Sequence, residues 1–271
     1  MKVLCEIVEG YSNFKDIMDS IRYVSTNVSA MANPKDPVKP LIGTNPDLLI
    51  MSQGNFSPEV KAYCDKNKTK TIIFGNSPEK YADIIISKEP IDNVENNVVQ
   101  KILPNMFIKS MGSIQPHLQS EVSVLTNANT NGFYLEFLAK NYNVKIYGNK
   151  KINSHKYLGT ITEVQRASIL KSSKFIIDMG SFSYLDAIMI GAYPFIMTDM
   201  ELPDTMTSFN NINTLMECMD SINTVDYGEK LKIMQKELYD RNNITFTIAV
   251  LNKLNFIDEA NTLQEIKGTL V

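Results

Sequence analysis

The sequence has no tryptophan, only three arginines and only three cysteines among its 271 residues. Cys5, Cys64 and Cys218 lie far apart within apolar segments, which favours buried thiols in a reducing compartment over disulfides or a metal cluster. No apolar run approaches the ~20 residues of a membrane span, and the N-terminus lacks the basic, then apolar pattern of a signal peptide. These absences predict a soluble, cytoplasmic protein that does not bind membranes.

Three widespread catalytic motifs are missing as well. No Gly-x-Gly-x-x-Gly occurs in the segments VEGYSNF or LTNANTNGF, which argues against a Rossmann dehydrogenase. No Gly-Lys-Ser/Thr loop indicates a P-loop enzyme, and no Gly-x-Ser-x-Gly turn indicates a hydrolase. The formal net charge of -3 provides no overall attraction to nucleic acids or anionic membranes.

Segments rich in Val and Ile alternate with helical patterns along nearly the whole chain, as is typical of βαβ units and a mostly parallel sheet. The length and the 44% hydrophobic content favour two domains. We therefore predict an α/β fold of two Rossmann-like domains facing a central cleft. The N-terminal domain covers residues 1–115, and the C-terminal domain covers residues 116–271, with its terminal helices packing back on the first domain.

Individual elements follow from periodicity, caps and turn residues. The proline-rich stretch Ser25–Pro46 shows little periodicity and is predicted to be a functional loop or lid. The predicted strands are Lys2–Val8, Asp47–Ser52, Thr69–Phe74, Asp83–Ser87, Val122–Leu125, Val144–Tyr147, Tyr157–Leu158, Phe175–Met179 and Tyr193–Met197. The predicted helices are Phe14–Val24, Pro58–Asn67, Phe133–Asn141, Glu163–Ser172, Tyr184–Ile190, Gly228–Arg241 and Thr247–Leu254.

Three loops of the second half carry small polar residues where a helix begins. Because ligands of open α/β sheets bind beyond the carboxyl ends of the strands, these loops are expected to converge on one cleft. Free N–H groups and the helix dipole would favour a phosphate there, although each loop is also compatible with an ordinary helix cap. The candidate residues are Asn127, Asn129, Thr130, Asn131, Gly132, Thr160, Ile161, Gly180, Ser181 and Ser183.

The segment FIIDMGSFSYLDAIMIGAYPFIMTD combines a strand, a serine-containing turn, an acidic helical residue and a Gly–Pro turn before a second strand. It resembles the donor-binding half of the GT-B glycosyltransferases over roughly residues 120–200. Asp178, Asp186, Gly191 and Pro194 match the acidic pair and the Gly–Pro turn of that family, with one extra residue between Gly and Pro. The resemblance implies a glycosyltransferase that uses a nucleotide-diphosphate sugar, best a UDP-sugar, and no other cofactor.

The resemblance also implies roles for single residues. Asp186 would bind the ribose hydroxyls, and Asp178 would lie near the sugar. Thr160 and Ile161 would hold the base through backbone groups. The family's basic pair from the first loop and helix is missing, so backbone, Asn and Ser donors would bind the diphosphate, with Ser181 and Ser183 facing it and Arg166 or a lysine assisting. Gly180 and Tyr184 are further donor-binding candidates.

Acceptor chemistry would belong to the first domain. Glu9 or Asp16 is a candidate general base if the reaction inverts the anomeric centre; a turn and a helix cap are the alternative interpretation of these residues. No Asp-x-Asp occurs, which disfavours a metal-bound diphosphate, and no metal is implied.

The acceptor and the activity itself leave alternatives open. The small size and the Asn-, Ile-, Lys- and Met-rich composition resemble phage enzymes that glycosylate modified DNA bases. A hydroxymethylated base in phage DNA is therefore the best single expectation, with a Lys-bearing rim and the Ser25–Pro46 loop forming a groove for DNA. A protein or small-molecule acceptor, or an inactive protein that binds a sugar nucleotide or acts as a scaffold, are the alternatives. The oligomeric state is not predicted.

Overall fold

The computed structural model describes residues 1–8, 12–31, 38–76, 82–99, 103–181 and 183–270, without the side chains of residues 12 and 13. The strands are β1 (Lys2–Cys5), β2 (Asn27–Ala30), β3 (Leu48–Ser52), β4 (Lys70–Phe74), β5 (Ile84–Ser87), β6 (Asn97–Val99), β7 (Ser120–Thr126), β8 (Val144–Gly148), β9 (Ser173–Met179), β10 (Tyr193–Met197) and β11 (Thr207–Phe209). The helices are α1 (Ser12–Val24), α2 (Val38–Thr44), α3 (Pro58–Asn67), α4 (Gly132–Asn141), α5 (Glu163–Lys171), α6 (Tyr184–Ile190), α7 (Ile212–Ser221), α8 (Tyr227–Tyr239), α9 (Asn243–Lys253) and α10 (Ile257–Thr269).

The chain forms two compact units. Unit 1 comprises Met1–Leu103 together with Asn243–Thr269, and unit 2 comprises Pro104–Asn242. The sequence placed the domain boundary between residues 115 and 116. The boundary lies earlier in the structure because the 3₁₀ turn Met106–Lys109 inserts Ile108 into a core of unit 2.

Unit 1 is built on a parallel sheet with the strand order β2-β1-β3-β4-β5-β6. The central strands β3, β4 and β5 are almost continuously apolar, as expected for strands covered on both faces. Alternate residues of β3 point to opposite faces of the sheet. Leu48 and Ile50 pack with α1 and α9, whereas Leu49 and Met51 pack with α2 and α3.

Two stretches of unit 1 differ from the sequence-based prediction. The predicted loop Ser25–Pro46 contains β2 and α2, and its residues 32–37 lie outside the described part of the chain. β2 is a half-exposed edge strand, so its sequence carries little apolar alternation. Pro40 is compatible with α2 because it lies in the first turn, where backbone N–H groups have no partner within the helix.

Unit 2 contains a five-stranded parallel sheet in the order β11-β10-β9-β7-β8. Leu135 and Leu138 of α4 pack on one face with Val124 and Ile177. Helix α5 packs on the opposite face, where Leu170 joins a second core. Both sheets therefore have helices on both faces, the layering expected of a Rossmann-like unit.

The three cysteines are free and buried. Burial raises the pKa of Cys64 to about 12 and that of Cys218 to about 11, so both thiols are protonated at neutral pH. Within the described residues, no helix has the length and apolarity needed to cross a bilayer.

Candidate functional site

The sheet of unit 2 changes its direction of winding at β7. This strand lies between β8 and β9, with α4 leading from β7 to β8 on one face and α5 leading from β8 to β9 on the other. Ligands of open parallel sheets bind beyond the carboxyl ends of the strands at such a switch point. The loops that follow β7, β8 and β9 therefore form the candidate site.

Hydrogen bonds join the β7 and β9 loops directly. Asn127 Nδ2 donates to the carbonyl oxygen of Gly180 at 2.7 Å, and Thr130 Oγ1 donates to that of Met179 at 3.0 Å. Gly180 has a φ of +83°, and a Cβ at this position would lie 3.0 Å from Asn127 Nδ2. The structure thus brings the predicted residues Asn127, Thr130 and Gly180 together, with both side chains engaged in shaping the site.

The remaining predicted residues of the β7 loop lie at the start of α4. Asn131 is the N-cap, and its Oδ1 accepts a hydrogen bond from Phe133 N at 3.0 Å. Asn129 is exposed and donates its backbone N–H to Asn127 Oδ1 at 2.8 Å. Gly132 is the first residue of α4, so its backbone N–H belongs to the first helical turn.

Asp178, a predicted catalytic residue, is the second-last residue of β9 and is only 1% exposed. Its carboxylate accepts hydrogen bonds from Ser181 N and Ser181 Oγ, both at 2.7 Å, and from Tyr184 N at 2.8 Å. Burial raises the pKa of Asp178, and these hydrogen bonds oppose the rise. Asp178 therefore holds the β9–α6 turn together, while its place near a sugar stays a prediction.

The two serines predicted to face a diphosphate point their hydroxyls into the protein. Ser181 Oγ donates to Asp178, and the buried Ser183 Oγ accepts from Arg166 Nη1 at 3.3 Å. Tyr184 is half-buried at the start of α6, and burial, together with Asp178, raises the pKa of its hydroxyl. Direct contacts of these side chains with a ligand stay predictions.

Arg166 links α5 to α6. Its guanidinium donates to Asp186 Oδ2 at 2.6 Å and to Glu163 Oε1 at 2.8 Å. Burial lowers the pKa of Arg166, but the two carboxylates outweigh burial and raise it. Asp186 Oδ1 accepts a hydrogen bond from Asn105 N at 2.8 Å. Both carboxylate oxygens of Asp186, the residue predicted to bind the ribose, are therefore hydrogen-bonded within unit 2.

The loop after β8 is held close to the end of that strand. Gly148 N donates to the carbonyl oxygen of Gly159 at 2.9 Å, and the loop then reaches Thr160 and Ile161 before α5 begins. The side chain of Thr160 is exposed, whereas Ile161 packs partly against a core of unit 2. Both residues follow the carboxyl end of β8, at the same sheet edge as the β7 and β9 loops, and their contact with a base stays a prediction.

The acceptor residues predicted in unit 1 are only partly described. Glu9 lies outside the described residues, and Asp16 is half-buried in α1, where its carbonyl oxygen accepts from Ser20 Oγ at 3.1 Å. The switch point of this sheet lies between β1 and β3, and the sequence analysis missed the carboxylate found there. Glu6 follows β1 and accepts from Ser52 N at 2.9 Å and Asn55 Nδ2 at 2.6 Å.

A second residue missed by the sequence analysis is Lys150. Its backbone N–H donates to Thr126 Oγ1 at 3.4 Å, and a Cβ on Gly132 would lie 3.7 Å from Lys150 Cε. The loop after β8 thereby brings a lysine side chain against the first residue of α4.

In the part of the chain that the structure describes, no three His, Cys, Asp or Glu side chains form a group that could hold a metal ion.

Comparison with known proteins finds similarity in structure but not in sequence. No known family and no curated protein matches the sequence. HepE of Anabaena in complex with UDP is 10% identical, with a TM-score of 0.60 and coverage of 94% of this chain and 99% of that one. A glycosyltransferase from Rickettsia africae is 12% identical, with a TM-score of 0.57 and coverage of 99% and 98%.

A protein from Listeria monocytogenes assigned as a UDP-N-acetylglucosamine 2-epimerase is 10% identical, with a TM-score of 0.58 and coverage of 95% and 97%. At such identities the likeness shows the fold alone. The predicted α/β fold with two Rossmann-like units, of the GT-B type, is confirmed.

Proposed function

We propose that the protein is a GT-B-type glycosyltransferase that binds a nucleotide-diphosphate sugar at the carboxyl edge of the unit 2 sheet. The observation that carries this proposal is the direct bonding of the β7 loop to the β9 loop, through Asn127 and Thr130, at the switch point of the sheet. Structures of the same fold support a uridine nucleotide, since HepE was solved with UDP and also with UDP and glucose.

The proposed site assigns each loop a part of the donor. The first turn of α4, with Asn129 and Asn131, faces the diphosphate through N–H and amide donors. The loop at Thr160 and Ile161 holds the base through its backbone. Charge that develops on the leaving diphosphate is stabilised by preorganised donors instead of a metal ion.

The catalytic carboxylates belong to the proposal as well. Asp178 fixes the turn beside the sugar, and Asp186 is the carboxylate proposed to bind the ribose hydroxyls. If the reaction inverts the anomeric centre, Glu9 or Asp16 serves as the general base.

Binding is tested by calorimetry and thermal shift with UDP, GDP, ADP and their sugars. Asn129→Glu places a negative charge in the β7 loop without removing the backbone hydrogen bond of residue 129, so UDP binding is expected to weaken at least tenfold. Asn252→Glu makes the same change on an exposed position of α9 and is expected to leave binding unchanged. Failure of every nucleotide to bind the wild type would count against the proposal.

Turnover separates the candidate activities. Transfer to an acceptor or to water releases UDP and leaves the configuration at C2 of the sugar unchanged, whereas a 2-epimerase, the class assigned to the Listeria neighbour, changes the configuration at C2. NMR of UDP-glucose and UDP-N-acetylglucosamine incubated with the protein distinguishes these outcomes. Nucleotide binding with neither change supports an inactive sugar-nucleotide-binding protein.

The acceptor is proposed to be soluble, with a hydroxymethylated base in phage DNA as the specific hypothesis. Neutralisation of phosphates by lysines makes such binding weaken steeply with salt. Duplex DNA with and without hydroxymethylcytosine is therefore titrated at low and moderate salt. Absence of salt-sensitive binding would favour a protein or small-molecule acceptor.

A further inference from the structure

The proposed donor site lacks a basic residue in the loop and helix where the resemblance to GT-B glycosyltransferases predicts one. Residues 127–135, which form the β7 loop and the first turn of α4, contain no Lys or Arg. Arg166 is engaged by Asp186 at 2.6 Å and by Glu163 at 2.8 Å, so its charge is already balanced within unit 2. A nucleotide diphosphate therefore needs its counter-charge from another part of the fold.

Lys150 lies where that charge is needed. The β8 loop anchors its backbone to Thr126, the last residue of β7, and its methylene stem lies against Gly132 at the start of α4. The side chain is half-buried, so its course is set by packing as well as by solvent.

The Lys150 ammonium makes no hydrogen bond or ion pair with the residues that the structure describes. It also lies next to the N-terminus of a ten-residue helix, whose dipole is positive at that end. Placing two positive charges side by side is unfavourable for the protein alone. An anion bound between the Lys150 ammonium and the N-terminus of α4 relieves the repulsion and is attracted by both positive charges.

We propose that Lys150 is the cation that neutralises the diphosphate of the nucleotide ligand, in place of a basic residue from the β7 loop or α4. This inference rests on the proposed function, because the site is the same. It adds to that function the part of the ligand that Lys150 recognises, which is the diphosphate and not the base or the sugar.

The test compares Lys150→Met with Lys140→Met by isothermal titration calorimetry. Methionine keeps an unbranched stem and removes the charge. Lys140 is exposed in the last turn of α4, at the opposite end of the helix from Gly132, and provides the matched control. We expect UDP and inorganic pyrophosphate to bind Lys150→Met at least tenfold more weakly, uridine to bind unchanged, and Lys140→Met to behave as wild type.

A second variant approaches the same contact from the helix. Gly132→Asp places a carboxylate at the first position of α4, within reach of Lys150, where it supplies the anion internally. We expect a higher Tm than wild type together with loss of UDP and pyrophosphate binding. In the Lys150→Met background the gain in Tm is expected to shrink.

The outcomes separate the two proposals. If wild type binds no nucleotide, the proposed function fails, and this inference fails with it. If wild type binds UDP and Lys150→Met, shown to be folded by its circular dichroism spectrum, binds UDP equally well, only the role of Lys150 is overturned. Equal weakening of UDP and uridine would also overturn it, because that pattern indicates a disturbed loop and no specific contact with phosphate.

Discussion

Gly148 shows how a single position sets the geometry of the candidate site. Its φ is +125°, and a Cβ there would lie 2.2 Å from the carbonyl oxygen of Thr126. Gly148→Ala is therefore expected to destabilise the protein by about 2 kcal/mol or more, through strain and a clash between the ends of β7 and β8. Urea unfolding measures the effect. Gly132→Ala, which meets nothing closer than 3.7 Å, is the control and is expected to be close to neutral.

Asp178 predicts a pH dependence of stability. Burial raises its pKa in the folded protein above the usual 3.8, so the folded chain holds this proton more tightly than the unfolded chain does. The contribution of Asp178 to stability is then complete below pH 3.8 and declines as the pH rises through the folded-state pKa. Asp178→Asn does not titrate, so wild type is expected to lose stability relative to this variant as the pH rises through that range. A difference in unfolding free energy that stays constant with pH would contradict the assignment.

At the scale of elements, the Arg166–Asp186 pair connects α5 to α6 with side chains that are 17% and 11% exposed. Arg166→Met leaves a buried carboxylate without its cation and is expected to destabilise the protein by about 3 kcal/mol. Adding Asp186→Asn removes the stranded charge while keeping an acceptor for Asn105 N. The double variant is therefore expected to recover at least half of the loss in urea unfolding. No recovery would show that the pair contributes through packing alone.

Helices with clear caps could be predicted closely from sequence. Pro58–Asn67 follows a serine N-cap with proline at its first position, and Tyr184–Ile190 ends at Gly191 with a φ of +108°. The strands β2, β6 and β11 were missed because each is a short edge strand of three or four residues, too short for a periodic pattern. Helix α10 was missed because its apolar face is narrow, with Ala260 and Leu263 as its buried apolar residues.

The candidate site was predictable only as far as strand order allows. Parallel strands end at one edge of a sheet, so the sequence alone predicts which loops lie together. Side-chain partners could not be grouped in this way. Arg166 and Asp186 are 20 residues apart, and Lys150 follows Gly132 by 18, so their contacts depend on how α5, α6 and the β8 loop pack.

At the scale of the whole molecule, unit 2 is one continuous segment and unit 1 is not. Residues 104–242 expressed alone are therefore expected to fold, with a cooperative thermal transition and a dispersed NMR spectrum. Under the proposed function, this fragment is also expected to bind UDP. A fragment that is unfolded would show that unit 2 depends on the rest of the chain.

Residues 1–242 test the complementary expectation for unit 1. Removing α9 and α10 takes away Ile244, Val250, Leu251 and Leu254, each at most 2% exposed. At roughly 1.5–3 kcal/mol for each buried side chain, the loss is comparable to the whole stability of a domain, so unit 1 is expected to unfold. Hydrogen exchange that is fast in unit 1 and slow in unit 2 would confirm it.

The divided unit 1 also sets an order on synthesis. A ribosome delivers the first six strands early, yet their sheet stays without helix α9, which packs on one face together with α1, until residues 243–253 have been made. Unit 2 is completed before that point, so the nascent chain finishes its second unit before its first. A truncated message whose protein product ends at residue 242 would yield a chain with an exposed apolar sheet face. Such a chain would be a substrate for chaperones and proteases.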